Sequence, residues 1–384
     1  MLKKFVVKNY KNFKDEIKVD FEDVANYQFS TDCISDGKIS KMLIYGRNAT
    51  GKTNLGKAFM DIAFTIFAGP PFGGDEVFLN ADSTEDAAIF SYTFGFGKDE
   101  VVYQYARFSN QKLRDEELVI NGNSIFRCDF FKKEYCFDNL KFIKAETANI
   151  DRYMQAIDGT EVTEGNMESQ LPFFRWLISN VAFKSDSLLI RLADYVGKMK
   201  WITVGNAMPY RIKRMSSIFF EYLEKSEKLY DLEEFLNAMG IECHLVLKKL
   251  PDGQRQLYFL HEKLVPFYEN ASSGTLALVD LYHRLISKLQ GASLIYLDEF
   301  DAFYHYEMAE NVIRFFKKKY PHCQIIMTTH NTNLMTNRLM RPDCMFILSR
   351  SGTLTALCRA TKRELREGHN LEKMYISGEF EMYE

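Results

Sequence analysis

The sequence predicts an α/β fold with a mixed or largely parallel sheet as its core, an antiparallel β subdomain and a helical insertion. Three observations lead there. The last third of the chain alternates helix and strand patterns (helix 275–289, strand 293–297, helix 305–319, strands 323–328 and 344–348), and such alternation builds parallel sheets through helical crossovers. Residues 87–137 change to short apolar runs, Ile89, Tyr92, Phe94 and Phe96, then Val101, Tyr103 and Tyr105, then Leu118 and Ile120. Turn signals at Gly97-Lys98-Asp99 and Asn121-Gly122-Asn123 divide them. Residues 165–240 carry helical spacing instead, as in Leu171, Phe174, Leu177 and Ile178, and later Phe219, Tyr222 and Leu223.

The flanking elements follow in order. Residues 2–8 and 16–21 read as strands joined by a turn around Asn12, Lys41 to Tyr45 as a short buried strand, and the stretch from Gly51 to about Phe67 as a helix. A hairpin spans 242–250 and 255–261 around Pro251-Asp252-Gly253-Gln254. Three units are expected: 1–140, the first half of the core with the β subdomain; 141–240, a mainly helical insertion; and 241–384, the second half of the core.

Composition narrows the class. Apolar residues are 46% and charged residues 26% of 384, which excludes wholesale disorder. A net charge of −3 requires any nucleic-acid footprint to be a local patch. The seven cysteines form no CxxC pair, which suits a reducing cytosol and argues against a zinc site. Lys3, Lys4 and Lys8 break the N-terminal apolar residues, and Ala58 to Ala68 is far short of the ~20 residues that span a bilayer, so a soluble, cytoplasmic protein without membrane attachment is expected.

Two motifs carry chemistry. Gly46-Arg47-Asn48-Ala49-Thr50-Gly51-Lys52-Thr53 fits GxxxxGK[ST] at every fixed position, between an apolar strand and a helix that continues with Asn54. Glycines let successive N–H groups point at phosphates, and the helix N-terminus adds its positive end. In this pattern Lys52 meets the β and γ phosphates of ATP and Thr53 holds Mg²⁺. Downstream, Leu294-Ile295-Tyr296-Leu297-Asp298-Glu299 is an apolar strand ending in two acids. Asp298 would join the Mg²⁺ shell and Glu299 would polarise the attacking water.

Ser272-Ser273-Gly274-Thr275 opens a helix before those acids, and His330 ends the next apolar strand. This order and spacing suit an ABC-type ATPase. The chain's own P-loop already holds the phosphates, so Ser272, Ser273 and Gly274 are expected to reach the γ-phosphate on a second copy, giving composite sites in a two-fold dimer. Bland readings exist for each: Ser272 as a plain helix cap and His330 as a strand-end histidine.

The motif set resembles the ABC-type ATPases related to the SMC, RecF and OLD groups, and within them the small AAA-family ATPases of bacterial abortive-infection and other antiphage systems. The opening Phe5-Val6-Val7-Lys8-Asn9-Tyr10-Lys11-Asn12-Phe13-Lys14 looks like that group's "F-x-x-x-N-[FY]-[RK]-[SN]-F" strand and turn. Ser272 to Thr275 and the closing Tyr375-Ile376-Ser377-Gly378-Glu379-Phe380 look like its "SSGT" and "Y-x-x-G-x-[FY]" patterns. The resemblance implies that Lys11 and Asn12 lie beside the nucleotide, that Asp301 belongs to the D-loop at the dimer interface, and that His330 is the switch histidine on the γ-phosphate. Gln155 and Gln170 are weak candidates for the Q-loop residue.

The resemblance implies an ATPase that dimerises around ATP and Mg²⁺ as the sensor or regulatory subunit of an antiphage system. No room remains after the last strand for a Toprim nuclease domain, so an effector such as a nuclease would be a separate chain. The competing reading is a RecF-like DNA clamp, with the basic runs Lys132-Lys133, Lys317 to Lys319, and Arg211, Lys213 and Arg214 as possible contacts, although such runs usually mark solvated faces. A transporter subunit fits poorly, and the seven histidines form no nuclease cluster.

Overall fold

The computed structural model describes residues 1–68, 77–158, 171–203, 217–225, 227–287 and 289–384. Its strands form two principal sheets. The first contains β1 (Leu2–Lys8), β2 (Ile17–Asp20), β6 (Ala88–Phe96), β7 (Asp99–Arg107), β8 (Leu113–Ile120), β9 (Asn123–Asp129) and β10 (Glu134–Cys136), in the order β10-β9-β8-β7-β6-β1-β2, all antiparallel. β6 alternates buried and half-buried residues along its whole length, as a strand covered on one face must.

The stretch 87–137 is therefore not a sheet of its own. β1 pairs with β6 in the register Phe5↔Tyr92 and Val7↔Phe90, so the N-terminal strands and the β subdomain bury one continuous face. That join links residues more than 80 positions apart, which the alternation of each segment alone could not reveal.

The second sheet contains β5 (Lys41–Tyr45), β11 (Met199–Thr203), β15 (Leu294–Asp298), β16 (Gln324–Thr329), β17 (Met345–Leu348) and β18 (Leu354–Ala356), in the order β11-β15-β16-β5-β17-β18. All its pairs are parallel except β17 with β18. β5, β15 and β16 are buried at every residue, which is why they read as apolar runs without alternation. Two-residue strands β3 (Ile34–Ser35) and β4 (Lys38–Ile39) and a three-stranded sheet of β12 (Leu245–Lys249), β13 (Arg255–Leu260) and β14 (Leu264–Pro266) complete the β structure among the described residues.

Helix α1 (Lys52–Phe67) lies between the two principal sheets. Phe59 stacks on Phe5 at 4.1 Å between ring centroids and meets Tyr296 at 5.9 Å, touching one sheet with each contact. Its polar side is satisfied inside the antiparallel layer: the Tyr105 hydroxyl donates to Asp61 Oδ2 at 2.8 Å, and Arg107 Nε lies 3.1 Å from the same oxygen. A buried charge of this kind is tolerable only when paired and hydrogen-bonded.

The segment 141–240 holds α2 (Ile150–Asp158), α3 (Phe173–Asn180), α4 (Leu188–Gly197), α5 (Ser217–Leu223) and α6 (Lys228–Ala238), but also β11, the edge strand beside β15. Met-Lys-Trp-Ile-Thr is too short and too mixed to announce a strand within a helical stretch. The remaining α-helices among the described residues are α7 (Phe267–Asn270), α8 (Ser273–Ser287), α9 (Tyr306–Lys319) and α10 (Leu371–Ile376). Among the described residues no helix is long and apolar enough to cross a membrane.

Candidate functional site

The parallel strands β5, β15 and β16 end side by side, and the loops leaving their C-terminal ends carry the chemistry. The loop from Gly46 to Gly51 runs from β5 into α1. Gly46 admits no side chain, since a Cβ there would stand 2.6 Å from Thr50 Oγ1 and 3.1 Å from the Leu348 carbonyl oxygen. Gly51 is the α1 N-cap at φ 101°, in the left-handed region, and no side chain caps the helix. The first-turn N–H groups of a 16-residue helix are thus left for an anion.

Lys52 is 4% exposed, and its ammonium donates to the Gly46 carbonyl at 2.7 Å and the Arg47 carbonyl at 3.1 Å. Burial pushes it below the usual lysine range, while the carboxylates of Glu299, Asp298 and Asp301 push back. Asn48 and Ala49 are exposed at the loop's crest, Ala49 at φ 66°, and Thr50 is buried, its hydroxyl donating to the Arg47 carbonyl at 3.0 Å.

Thr53 Oγ1 donates to Asp298 Oδ2 at 2.8 Å, and Thr328 Oγ1 donates to Asp298 Oδ1 at 2.9 Å. Burial raises the Asp298 carboxyl and these two hydroxyls pull it back. A hydroxyl and a carboxylate side by side are the hard oxygen ligands that Mg²⁺ takes. The pair Thr53 and Asp298 would therefore suit that ion.

Glu299 sits one step beyond, half-buried, at φ 47°, with its N–H held by Thr328 Oγ1 at 2.8 Å. A non-glycine residue in that region costs of order 1–3 kcal/mol, a strain typical of functional sites. Asp301 is buried, and accepts from Thr329 Oγ1 at 2.7 Å. Burial raises its carboxyl too. His330 is exposed at the end of β16 and borders, with Gly46, Arg47 and Asn48, a hollow of about 190 Å³.

The N-terminal turn abuts the same loop. Asn54 Nδ2 donates to Asn12 Oδ1, and a Cβ at Gly51 would meet Asn12 Cβ and Phe13 Cε1 at 3.1 Å. Lys11, at φ 48°, donates from Nζ to the Val77 carbonyl at 3.2 Å and from its N–H to the Phe78 carbonyl at 3.0 Å. Asn9, fully buried, fixes this turn by donating to the Glu85 and Ala87 carbonyls at 2.8 and 3.0 Å.

Ser272, Ser273 and Gly274 lie at the N-terminal end of α8. Ser272 caps α8, accepting from the Thr275 N–H at 3.1 Å. Ser272 and Ser273 are exposed, while Gly274 is buried where a Cβ would come within 2.9 Å of the Phe303 carbonyl oxygen, tying α8 to the loop that contains Asp301. Gln155 is exposed on α2; Gln170, Arg211, Lys213 and Arg214 lie outside the described residues. Lys317 does not belong to a basic face: it is buried and donates to the Leu339 carbonyl at 2.6 Å, with Asp32 at 2.7 Å.

The reading of the sequence missed Thr328 and Thr329. Between them they bind Asp298, Glu299 and Asp301, and the Gly46 N–H donates to the Thr329 carbonyl at 3.3 Å. The available signal was two hydroxyls at the end of a buried strand, next to His330. A P-loop between a central parallel strand and its helix, faced by acids at the end of a neighbouring strand, makes this an α/β P-loop fold.

Residues 191–336 match the family model described as "AAA domain, putative AbiEii toxin, Type IV TA system". That span runs from α4 through β11, the α8 N-terminus and Asp298 to His330 and stops short of neither acid; the P-loop lies outside it. No curated protein matches the sequence. Among solved structures, the chain is similar to an SMC head bound to the C-winged helix domain of ScpA (14% identity, 90% of this chain and 93% of that one, TM-score 0.47). It is also similar to the SMC head domain from Thermotoga maritima (16%, 92% and 98%, TM-score 0.44). A third similar structure is an SMC head with an extended coiled coil, bound to the C-terminal domain of ScpA, from Pyrococcus furiosus (16%, 99% and 99%, TM-score 0.43).

Proposed function

We propose that the chain binds ATP at the Gly46–Thr53 loop, hydrolyses it between two copies of itself, and serves as the sensor or regulatory subunit of an antiphage system of the abortive-infection type. The observation that carries the nucleotide reading is the Thr53–Asp298–Thr328 cluster beside the buried ammonium of Lys52. Thr53 and Asp298 would hold Mg²⁺ there, and the ion would supply charge neutralisation to the phosphates.

The chain's own groups account for the rest. Lys52 exchanges two loop carbonyls for β and γ phosphate oxygens, and the free N–H groups of α1 take the others. Glu299, whose backbone N–H is held by Thr328, accepts a proton from the attacking water as its oxygen adds to the γ-phosphorus and the bond from that phosphorus to the β,γ-bridging oxygen breaks, releasing ADP. His330 borders the hollow where that phosphoryl group would lie. Ser273, exposed at the start of a 15-residue helix, suits an approach to the γ-phosphate on a second copy.

The regulatory part of the reading draws on the family match over 191–336, and the effector, a nuclease or other toxic enzyme, would be a separate chain. The test is phosphate release by the purified chain, alongside phage plating on cells carrying it with its neighbouring genes. The proposal expects Lys52→Ala to abolish both hydrolysis and protection. Hydrolysis lost with protection intact would leave an ATPase and remove the defence role; a Lys52→Ala protein that hydrolyses normally would remove the site. ATP-dependent shift of duplex DNA without any protection would favour the DNA clamp.

A further inference from the structure

We propose that Arg47 is a ligand for the terminal phosphate of ATP and that Glu384 holds it in check, an assignment that rests on the nucleotide-site reading above. Arg47 is the second residue of the loop. Its guanidinium pairs with Glu384 Oε2, and the same carboxylate is hydrogen-bonded to the Tyr375 hydroxyl. The contact brings Glu384, beyond α10, onto the mouth of the site.

The hollow beside this contact, about 190 Å³ in volume, adjoins the loop at Gly46 and Asn48. Arg47, His330 and Tyr375 border it. Tyr45 lines it as well; this tyrosine is 2% exposed, and its hydroxyl has no hydrogen-bond partner among the described residues. Buried hydroxyls ordinarily have partners, so this one leaves a donor unused in the wall of the hollow.

A guanidinium presents a planar fork that fits carboxylate and phosphate equally well in shape, so Glu384 and a γ-phosphate compete for the same N–H groups. Arg47 is 59% exposed in that pair, and exposed ion pairs are weak, so a phosphate bearing more charge displaces the carboxylate. ADP offers no group in the hollow and leaves the pair intact. Glu384 therefore tempers the preference of the site for ATP over ADP.

The test is equilibrium titration of the full chain with fluorescent ATP and ADP analogues, comparing wild type with Arg47→Ala, Arg47→Lys, Glu384→Gln and Lys52→Ala. Arg47→Ala is expected to lower the ratio of ATP to ADP affinity by about tenfold or more, as loss of a charged hydrogen bond does. Arg47→Lys, a point charge without the fork, is expected to recover part of it. Glu384→Gln is expected to raise the ratio by about two- to fivefold, the scale of an exposed ion pair. An unchanged or lowered ratio in Glu384→Gln, or an Arg47→Ala that weakens ATP and ADP alike, overturns the assignment while Lys52→Ala still abolishes binding. If wild type and Lys52→Ala bind ATP equally, the nucleotide-site reading falls and the Arg47 assignment falls with it.

Discussion

Thr53 Oγ1 donates to Asp298 Oδ2 across 2.8 Å, joining the first turn of α1 to the last residue of β15. The contact makes helix and strand one rigid support, and it places a hydroxyl and a carboxylate where a single hard cation can touch both. Thr53→Ala is expected to weaken ATP binding mainly when Mg²⁺ is present, leaving binding in EDTA close to wild type. Equal weakening in both buffers would mean that Thr53 acts on the phosphates or on the fold, not through the metal.

Glu299 is the proton acceptor in this account, and Asp298 keeps the metal without it. Glu299→Gln should therefore lower turnover by a factor of about a hundred to ten thousand, the usual weight of a general base, while ATP binding survives. Because hydrolysis resets the proposed dimer, this variant should elute as a dimer in ATP. Wild-type turnover would remove Glu299 from the chemistry and direct attention to His330.

Gly56 lies in the middle of α1, where alanine would ordinarily stabilise the helix by about 1 kcal/mol. Here a Cβ would come within 2.5 Å of the Tyr296 ring, and that ring cannot retreat because its hydroxyl donates to the Lys52 carbonyl at 2.6 Å. Gly56→Ala is expected to destabilise the protein by about 1–3 kcal/mol, the cost of overpacking, and to weaken nucleotide binding by displacing Lys52. An unchanged thermal midpoint with unchanged ATP affinity would contradict it.

This contact also marks the limit of what the sequence discloses. The Gly46–Thr53 loop and Asp298-Glu299 are legible because each is a local pattern whose spacing is dictated by backbone geometry. The turn at Lys11 and Asn12 is singled out by resemblance alone, and in the fold Asn12 and Phe13 pack against Gly51. Gly56 with Tyr296, Arg47 with Glu384, and Thr328 with Glu299 are pairings made only by the fold, between residues whose own neighbours carry no hint of the partner. β11 was hidden for another reason: a five-residue edge strand has too few positions to establish a period.

Glu116, on β8, gives a prediction in pH. It is fully buried, accepts from the Tyr103 hydroxyl at 2.7 Å and from the Phe173 N–H, and so ties α3 to the antiparallel sheet. Burial pushes its carboxyl from 4.5 up to about 7, against the pull of those donors. Between those values the folded chain holds a proton that the unfolded chain has released, so this group's contribution to stability falls as pH rises through that window, by at most about 1.4 kcal/mol per pH unit, and is level above it. The stability of wild type relative to Glu116→Gln, from urea midpoints, should therefore decline between pH 5 and pH 7 and then stay flat. A constant difference across that range would contradict the raised carboxyl.

The most direct measurement of the central claim, that ATP is hydrolysed between two copies, mixes two inactive chains. Lys52→Ala spoils one copy's loop, and Ser273→Arg blocks the other's approach to its partner's phosphate. Each should be inactive alone. A heterodimer keeps one site, formed by the intact loop of the second chain and the intact Ser273 of the first. An equal mixture should then release phosphate at about a quarter of the wild-type rate, since half of the dimers are mixed and each carries one site of two. No activity in a mixture whose heterodimers are demonstrated by mass spectrometry, or full activity in Ser273→Arg alone, would contradict the shared site.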